Sequence, residues 1–132
     1  MPVLDTQVLF ALSPKDPKHS KVLKILEKRQ DLVVPDTSIL EFELVLKGRG
    51  RNISETREAL LALSEFLSSR GVKEEKTINI DVLVLSSDLQ SNSRLSYFDS
   101  LVAASALSLD SLIVGDDESF DLVPGLKRIE LS

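Results

Sequence analysis

The chain has no cysteine and no tryptophan, and only one methionine and one histidine, His19. Without cysteine there is no disulfide framework, no thiolate metal site and no cysteine nucleophile. One imidazole cannot build a multi-histidine zinc centre. A serine–histidine triad would have to use His19, and no nucleophile elbow accompanies it. Standing alone near a helix start, His19 reads as a surface or capping group. Long apolar runs are also missing. No stretch approaches the roughly 18 apolar residues of a membrane span, and Met1-Pro2-Val3-Leu4-Asp5 lacks the basic region and apolar run of a signal peptide. A cytoplasmic location without membrane association is therefore expected. Positive charge is in the minority: 16 Lys and Arg against 21 Asp and Glu leave a net charge of −5. Such a chain does not coat nucleic acid non-specifically, although a local basic patch could still hold RNA or DNA.

With 132 residues, 42% apolar and 28% charged, the chain fits one domain, residues 1–132, around a single core. Neither internal repeats nor low-complexity tracts interrupt it. Pro2-Val3-Leu4 reads as a very short strand ending at Asp5, followed by a buried helical turn over Gln7 to Leu12. Asp16 and Pro17 should open the next helix, which turns Val22, Leu23, Ile25 and Leu26 inward. Leu32 to Pro35 is a second buried strand. Asp36, Thr37 and Ser38 offer cap groups for a helix to about Lys47, with Gly48 as its stop.

Asn52 to Arg70 has the spacing of a long amphipathic helix, with Leu60, Leu63 and Leu67 inward and Gly71 at its end. Val72 to Thr77 is charged and suits an edge strand. Asp81 to Gln90 is helical, with Val82, Leu85 and Leu89 inward. Ser96 caps a helix whose body, Leu101 to Leu107, is small and apolar nearly all round, as a central helix is. Leu112-Ile113-Val114 is a buried strand, and Arg128 to Leu131 a last, edge strand. Short apolar strands alternating with helices indicate an α/β domain with a mostly parallel sheet.

Four acids, Asp5, Glu41, Asp99 and Asp117, stand in apolar sequence at the borders of these elements. A carboxylate is costly to bury unless it is paired, hydrogen-bonded or bound to a metal. In parallel α/β sheets ligands collect beyond the carboxyl ends of the strands, and Asp5 and Asp117 follow two strand ends. Convergent carboxylates repel one another and are tolerated mainly with a cation or with raised pKa values. An all-oxygen set suits hard ions such as Mg2+ or Mn2+, which support phosphodiester hydrolysis. Glu43 competes with Glu41, because two residues apart on a helix they point in different directions. Asp116 competes with Asp117, and serves otherwise to orient the loop or to reach a metal through water. Lys47-Gly48-Arg49-Gly50-Arg51 is the one compact basic run: a solvated loop, or a phosphate contact beside the acids.

The same residues carry a family resemblance. Val3-Leu4-Asp5-Thr6, then Pro35 followed by Ile39-Leu40-Glu41-Phe42-Glu43-Leu44-Val45-Leu46, then Asp99-Ser100-Leu101-Val102-Ala103-Ala104-Ser105-Ala106 fall in one order along the chain. Ile113-Val114-Gly115-Asp116-Asp117, with Phe120, Asp121 and Val123-Pro124-Gly125-Leu126, completes the order. This ordered set resembles the PIN-domain nucleases, and among them the VapC-type toxins. The resemblance implies a three-layer α/β/α fold with a parallel five-stranded sheet, and Mg2+- or Mn2+-dependent cleavage of single-stranded RNA. It places Asp5, Glu41, Asp99 and Asp117 as the catalytic acids. Asp5, Asp99 and Asp117 would be metal ligands, with Glu41 and Asp116 as further candidates. Thr6, Lys47, Arg49 and Arg51 would face the substrate. A cognate antitoxin and a homodimer follow from the same likeness.

Two positions depart from the pattern: Gln7 replaces a usual asparagine, and Gly115 a usual serine or threonine. They favour the alternative of a PIN-like module that binds RNA or protein without cutting. A phosphoacceptor domain would need an acidic pair after the first strand and an aspartate after the third, but no aspartate lies between Asp36 and Asp81. A dehalogenase-type phosphatase would need a second aspartate at position 7, where Gln7 stands.

Overall fold

Strands of two or three residues form the sheet. A computed structural model describes residues 1–131, so the last residue of the expected domain, Ser132, lies outside the described residues. The strands are β1 (Val3–Leu4), β2 (Val33–Pro35), β3 (Lys73–Glu75), β4 (Leu112–Val114) and β5 (Lys127–Ile129). Their order is β3-β2-β1-β4-β5, and every neighbouring pair is parallel. Val3 lies level with Val33 on one side and Ile113 on the other, and Leu4 with Val114. Around the sheet run α1 (Thr6–Phe10), α2 (His19–Lys28), α3 (Asp36–Gly48), α4 (Ile53–Ser69), α5 (Ile80–Asn92) and α6 (Tyr97–Leu107), with a 3-10 helix at Glu118–Leu122.

The period-two alternation of strand side chains divides the interior into two cores, one on each face of the sheet. Leu4, Val34 and Val114 join Val8, Val22, Leu26, Phe42, Leu46 and Leu63 on one face. On the other, Val3, Val33 and Ile113 join Val82, Leu89, Val102, Ala103 and Phe120. This is the expected three-layer α/β/α arrangement with its parallel five-stranded sheet. Helix α6 is buried from Ser100 through Ala106, and its small side chains let α5 pack closely against it.

Local chemistry sets the element ends. Asn52 and Glu55 form a reciprocal capping box at the start of α4, and Ser96 accepts from the Asp99 backbone at the start of α6. Charged β3 lies at the sheet edge, as its composition suggests.

Three details differ from the sequence reading. Asp16 does not cap α2: its carboxylate accepts the Lys18 N–H at 2.8 Å in a turn before the helix, which begins only at His19. Asp36, Thr37 and Ser38 lie within α3, where Asp36 does another task. It accepts the Thr77 hydroxyl at 2.6 Å and the Ile78 N–H at 3.1 Å, tying α3 to the connection after β3. Gly48 is the last helical residue of α3, and the left-handed conformation falls on Gly50, at φ 89°.

Candidate metal centre

Because β1 is central in the strand order, the crevice at its carboxyl end gathers residues from several elements. Asp5 directly follows β1 and continues its ladder, with its N–H donating to Val114 O at 3.0 Å. It caps α1 by accepting the Thr6 N–H at 2.7 Å. Glu41 arrives on α3, which Ser38 pins to β1 by donating to Leu4 O at 2.8 Å. Asp99 sits in the first turn of α6. Carboxylate oxygens of Asp5, Glu41 and Asp99 all lie within 4.8 Å of one another.

Asp5 is only 3% exposed, and Glu41 and Asp99 are half-buried. Among the described residues none of the three has an ion-pair partner within salt-bridge distance. Each pair of charges at that separation costs about 3 kcal/mol at an effective dielectric of 20. Burial pushes the Asp5 carboxyl from an ordinary 3.8 up to about 7; the Thr6 N–H opposes this, and the charges of Asp99, Glu41 and Asp117 add to it. Glu41 is raised by burial first, against a lowering hydrogen bond from Thr6, with Asp99 adding a further rise. Asp99 is likewise raised by burial, then by Asp117, with Ser96 pulling the other way.

Asp117 lies at the rim. It is exposed, and its carboxylate accepts the Ser119 N–H at 3.0 Å and hydroxyl at 2.7 Å, capping the 3-10 helix. Asp116 turns away, accepting Lys18 Nζ at 2.8 Å and the Leu131 N–H at 3.0 Å. These bonds hold its carboxyl below the ordinary range, the Leu131 N–H being the larger cause. Glu43 also faces elsewhere and pairs with Lys47 at 3.8 Å, so Glu41 alone of the α3 pair points into the cluster.

Thr6 is buried, and its hydroxyl donates to Glu41 Oε1 at 2.5 Å, so its one proton is committed to positioning Glu41 rather than to a ligand. Gly115 explains its own lack of a side chain. A Cβ there would stand 3.0 Å from Asp5 Cβ and 3.2 Å from its Oδ2. The residue after β4 therefore passes directly over Asp5, and Gln7 beside it is exposed. His19 is half-buried, with Nδ1 3.0 Å from Ala11 O.

The basic run is occupied locally. Lys47 pairs with Glu43, Arg51 with Glu55 at 3.7 Å, and Arg49 lies 4.6 Å over the Phe10 ring. Sequence reasoning missed Arg128, which clamps Asp121 with two bonds of 3.0 Å and donates to Gly115 O at 3.3 Å, steadying the loop that carries Asp117. No local pattern could have announced it, because the contacts form only when β5 lies beside β4.

Buried and half-buried carboxylates that repel one another at the carboxyl end of a parallel sheet, without a basic partner among the described residues, form a cluster that could hold a metal ion. The family model of the PIN domain matches residues 3–126. This chain is a PIN domain. Its fold is similar to that of VapC20 from Mycobacterium tuberculosis, a sarcin–ricin loop cleaving toxin, with TM-score 0.72, 15% identity, and 92% of this chain and 93% of that chain covered. VapBC2 from Rickettsia felis, solved bound to a DNA fragment from their promoter, gives TM-score 0.71 at 15% identity over 97% and 96% of the two chains. FitAcB from Neisseria gonorrhoeae gives TM-score 0.68 at 18% identity over 99% and 98%. At these identities the likeness is one of fold. No curated protein matches the chain at the sequence level. Among the described residues, no helix of this PIN domain is long and apolar enough to cross a membrane.

Proposed function

We propose that this PIN domain is a Mg2+- or Mn2+-dependent endoribonuclease that cleaves single-stranded RNA, acting as the toxin of a toxin–antitoxin pair in the cytoplasm. The observation that carries the reading is the meeting of Asp5, Glu41 and Asp99 within 4.8 Å, without a basic partner among the described residues. The set fits a divalent ion: it is all oxygen, and the raised pKa values mark a site that a cation would relieve. Such an ion would supply water activation and charge neutralisation at phosphorus.

The chain's own residues do the positioning. Asp5 is fixed by the Thr6 N–H and Gly115, and offers its carboxylate from the sheet end. Asp99 is held in the first turn of α6, where the helix dipole favours the charged form. Glu41 has one oxygen bonded to Thr6, which leaves the other to orient the attacking water. Asp117 at the rim completes the acidic set from the strand beside β1.

The antitoxin reading is supported by a groove of about 920 Å³ with an apolar floor of Phe10, Phe42, Leu46, Leu63 and Phe66. A homodimer is supported by exposed apolar side chains on α3 and α5, namely Leu40, Leu44, Ile80, Leu83 and Val84.

The test is cleavage of single-stranded RNA in Mn2+ by the wild type, Asp5→Asn and Asp99→Asn. Activity in the wild type alone is the expected result. Equal activity in all three would identify a contaminant and reject the assignment. RNA binding without any cleavage would select the inert-module alternative.

A further inference from the structure

If the acids cut RNA, the strand must be held beside them by positive charge, in a chain whose net charge is −5. The compact run Lys47 to Arg51 stands elsewhere: Arg49 and Arg51 line a groove that Asp5, Glu41, Asp99 and Asp117 do not line, and Lys47 faces Glu43. Positive charge from α2 instead meets the loop that carries Asp117. Lys18, at the N-terminal border of α2, places its Nζ 2.8 Å from Asp116, next to the proposed ligand Asp117. Between Lys18 and the loop after β4 lies a cleft of about 380 Å³, lined by Gln7, Lys18, Gly115, Asp116 and Asp117.

Beyond Lys18, Lys21, Lys24 and Lys28 follow at spacings of three, three and four, which keeps them on the exposed side of α2, opposite buried Val22 and Leu26. Among the described residues, Lys21, Lys24 and Lys28 have no ion-pair partner, and Glu27 is the only acid in the helix. The stripe spans about 15 Å at 1.5 Å per residue. Lys18 is 48% exposed, so its pairing with Asp116 is a weak surface interaction, readily exchanged for a phosphate.

We propose that the lysine stripe of α2, entered at Lys18 and Lys21, is the track that holds the sugar–phosphate backbone of the RNA and leads it to the cleft beside Gly115 and Asp117. This rests on the ribonuclease reading above. The contacts are to phosphate, so the track positions the strand and carries no base preference.

The experiment measures binding of a fluorescein-labelled single-stranded RNA by anisotropy across a salt series. All proteins carry Asp99→Asn so that the strand is not cut. Lys18→Ala combined with Lys21→Ala should weaken binding about tenfold and reduce the slope of log K against log salt by about 1–2. Lys21→Ala alone, which disturbs no contact with the Asp116 loop, should remove about half of that slope. Lys18→Arg should restore it. Lys47→Ala with Arg51→Ala should leave the slope unchanged. An unchanged slope in the Lys18/Lys21 variant, with RNA still bound, would overturn the track and leave the ribonuclease reading standing. A parent protein that binds no RNA at any salt would overturn both.

Discussion

Replacing Asp5 with asparagine should make the metal-free protein more stable at alkaline pH while removing its response to divalent ions. The carboxyl is 3% exposed, and its pKa in the fold is about 7 against an ordinary 3.8. An acid whose folded pKa lies above its unfolded value stabilises the fold only while protonated. Below pH 3.8 both states hold the proton; between 3.8 and about 7 only the fold does; above about 7 neither does, and the fold carries a buried charge. The stability lost across that window is at most about 4 kcal/mol, taking about 1.4 kcal/mol per pH unit. Asparagine keeps the shape and the acceptor for the Thr6 N–H, and carries no charge to lose. For a chain of this length each kcal/mol moves the melting temperature by roughly 3–5 °C. Without divalent ions at pH 8, Asp5→Asn should therefore melt roughly 6–20 °C above the wild type, and only roughly 3–5 °C above it at pH 4.5. Mn2+ at 100 times its dissociation constant should then add about 2.7 kcal/mol to the wild type and nothing to the variant. Differential scanning calorimetry at both pH values reads all four states. A variant that melts at or below the wild type at pH 8 would show that Asp5 is not held as a strained charge, and the reasoning would fail.

Two further substitutions probe the supports of the site. Gly115→Ser restores the hydroxyl that the family pattern usually carries, but its Cβ would meet Asp5 at 3.0 Å. The crowding should cost about 1–3 kcal/mol in chemical denaturation and weaken Mn2+ binding; higher affinity in the variant would refute the close-approach reading. Thr6→Val keeps the volume and removes the 2.5 Å bond to Glu41. Because that bond lowers the Glu41 pKa, the acid limb of the cleavage profile should move to higher pH and the rate should fall about tenfold, the worth of one hydrogen bond to a charged group. An unmoved pH profile would show that Glu41 does not depend on Thr6.

Much of the frame was legible because its signals are local. The apolar triplets gave the strands, Asn52 and Ser96 marked helix starts, and the uniformly small, apolar face of α6 marked the central helix. Asp5, Glu41 and Asp99 were recognisable because each is a carboxylate inside apolar sequence, a placement that demands a reason. What stayed hidden depends on distant parts of the chain meeting. Lys18 and Asp116 lie 98 residues apart, and nothing in either neighbourhood announces their contact. Asp116 turns toward Leu131 and Lys18, and nothing beside it in sequence marks those partners. The basic run is conspicuous in sequence, but its approach to Phe10, across a groove, is not. The late start of α2 reflects competition within one turn, where Asp16 bonds the Lys18 N–H before a helix can form.

Isothermal calorimetry with Mn2+ at pH 8, on the wild type, Asp99→Asn and Glu43→Gln, tests most directly whether these carboxylates form a metal site. Glu43 lies on the same helix as Glu41 but faces Lys47, so its variant controls for surface charge. The wild type and Glu43→Gln should bind Mn2+ alike, and Asp99→Asn should show only the heat of dilution. Equal binding by Asp99→Asn, or no binding by the wild type, would contradict the assignment of Asp5, Glu41 and Asp99 as one metal centre.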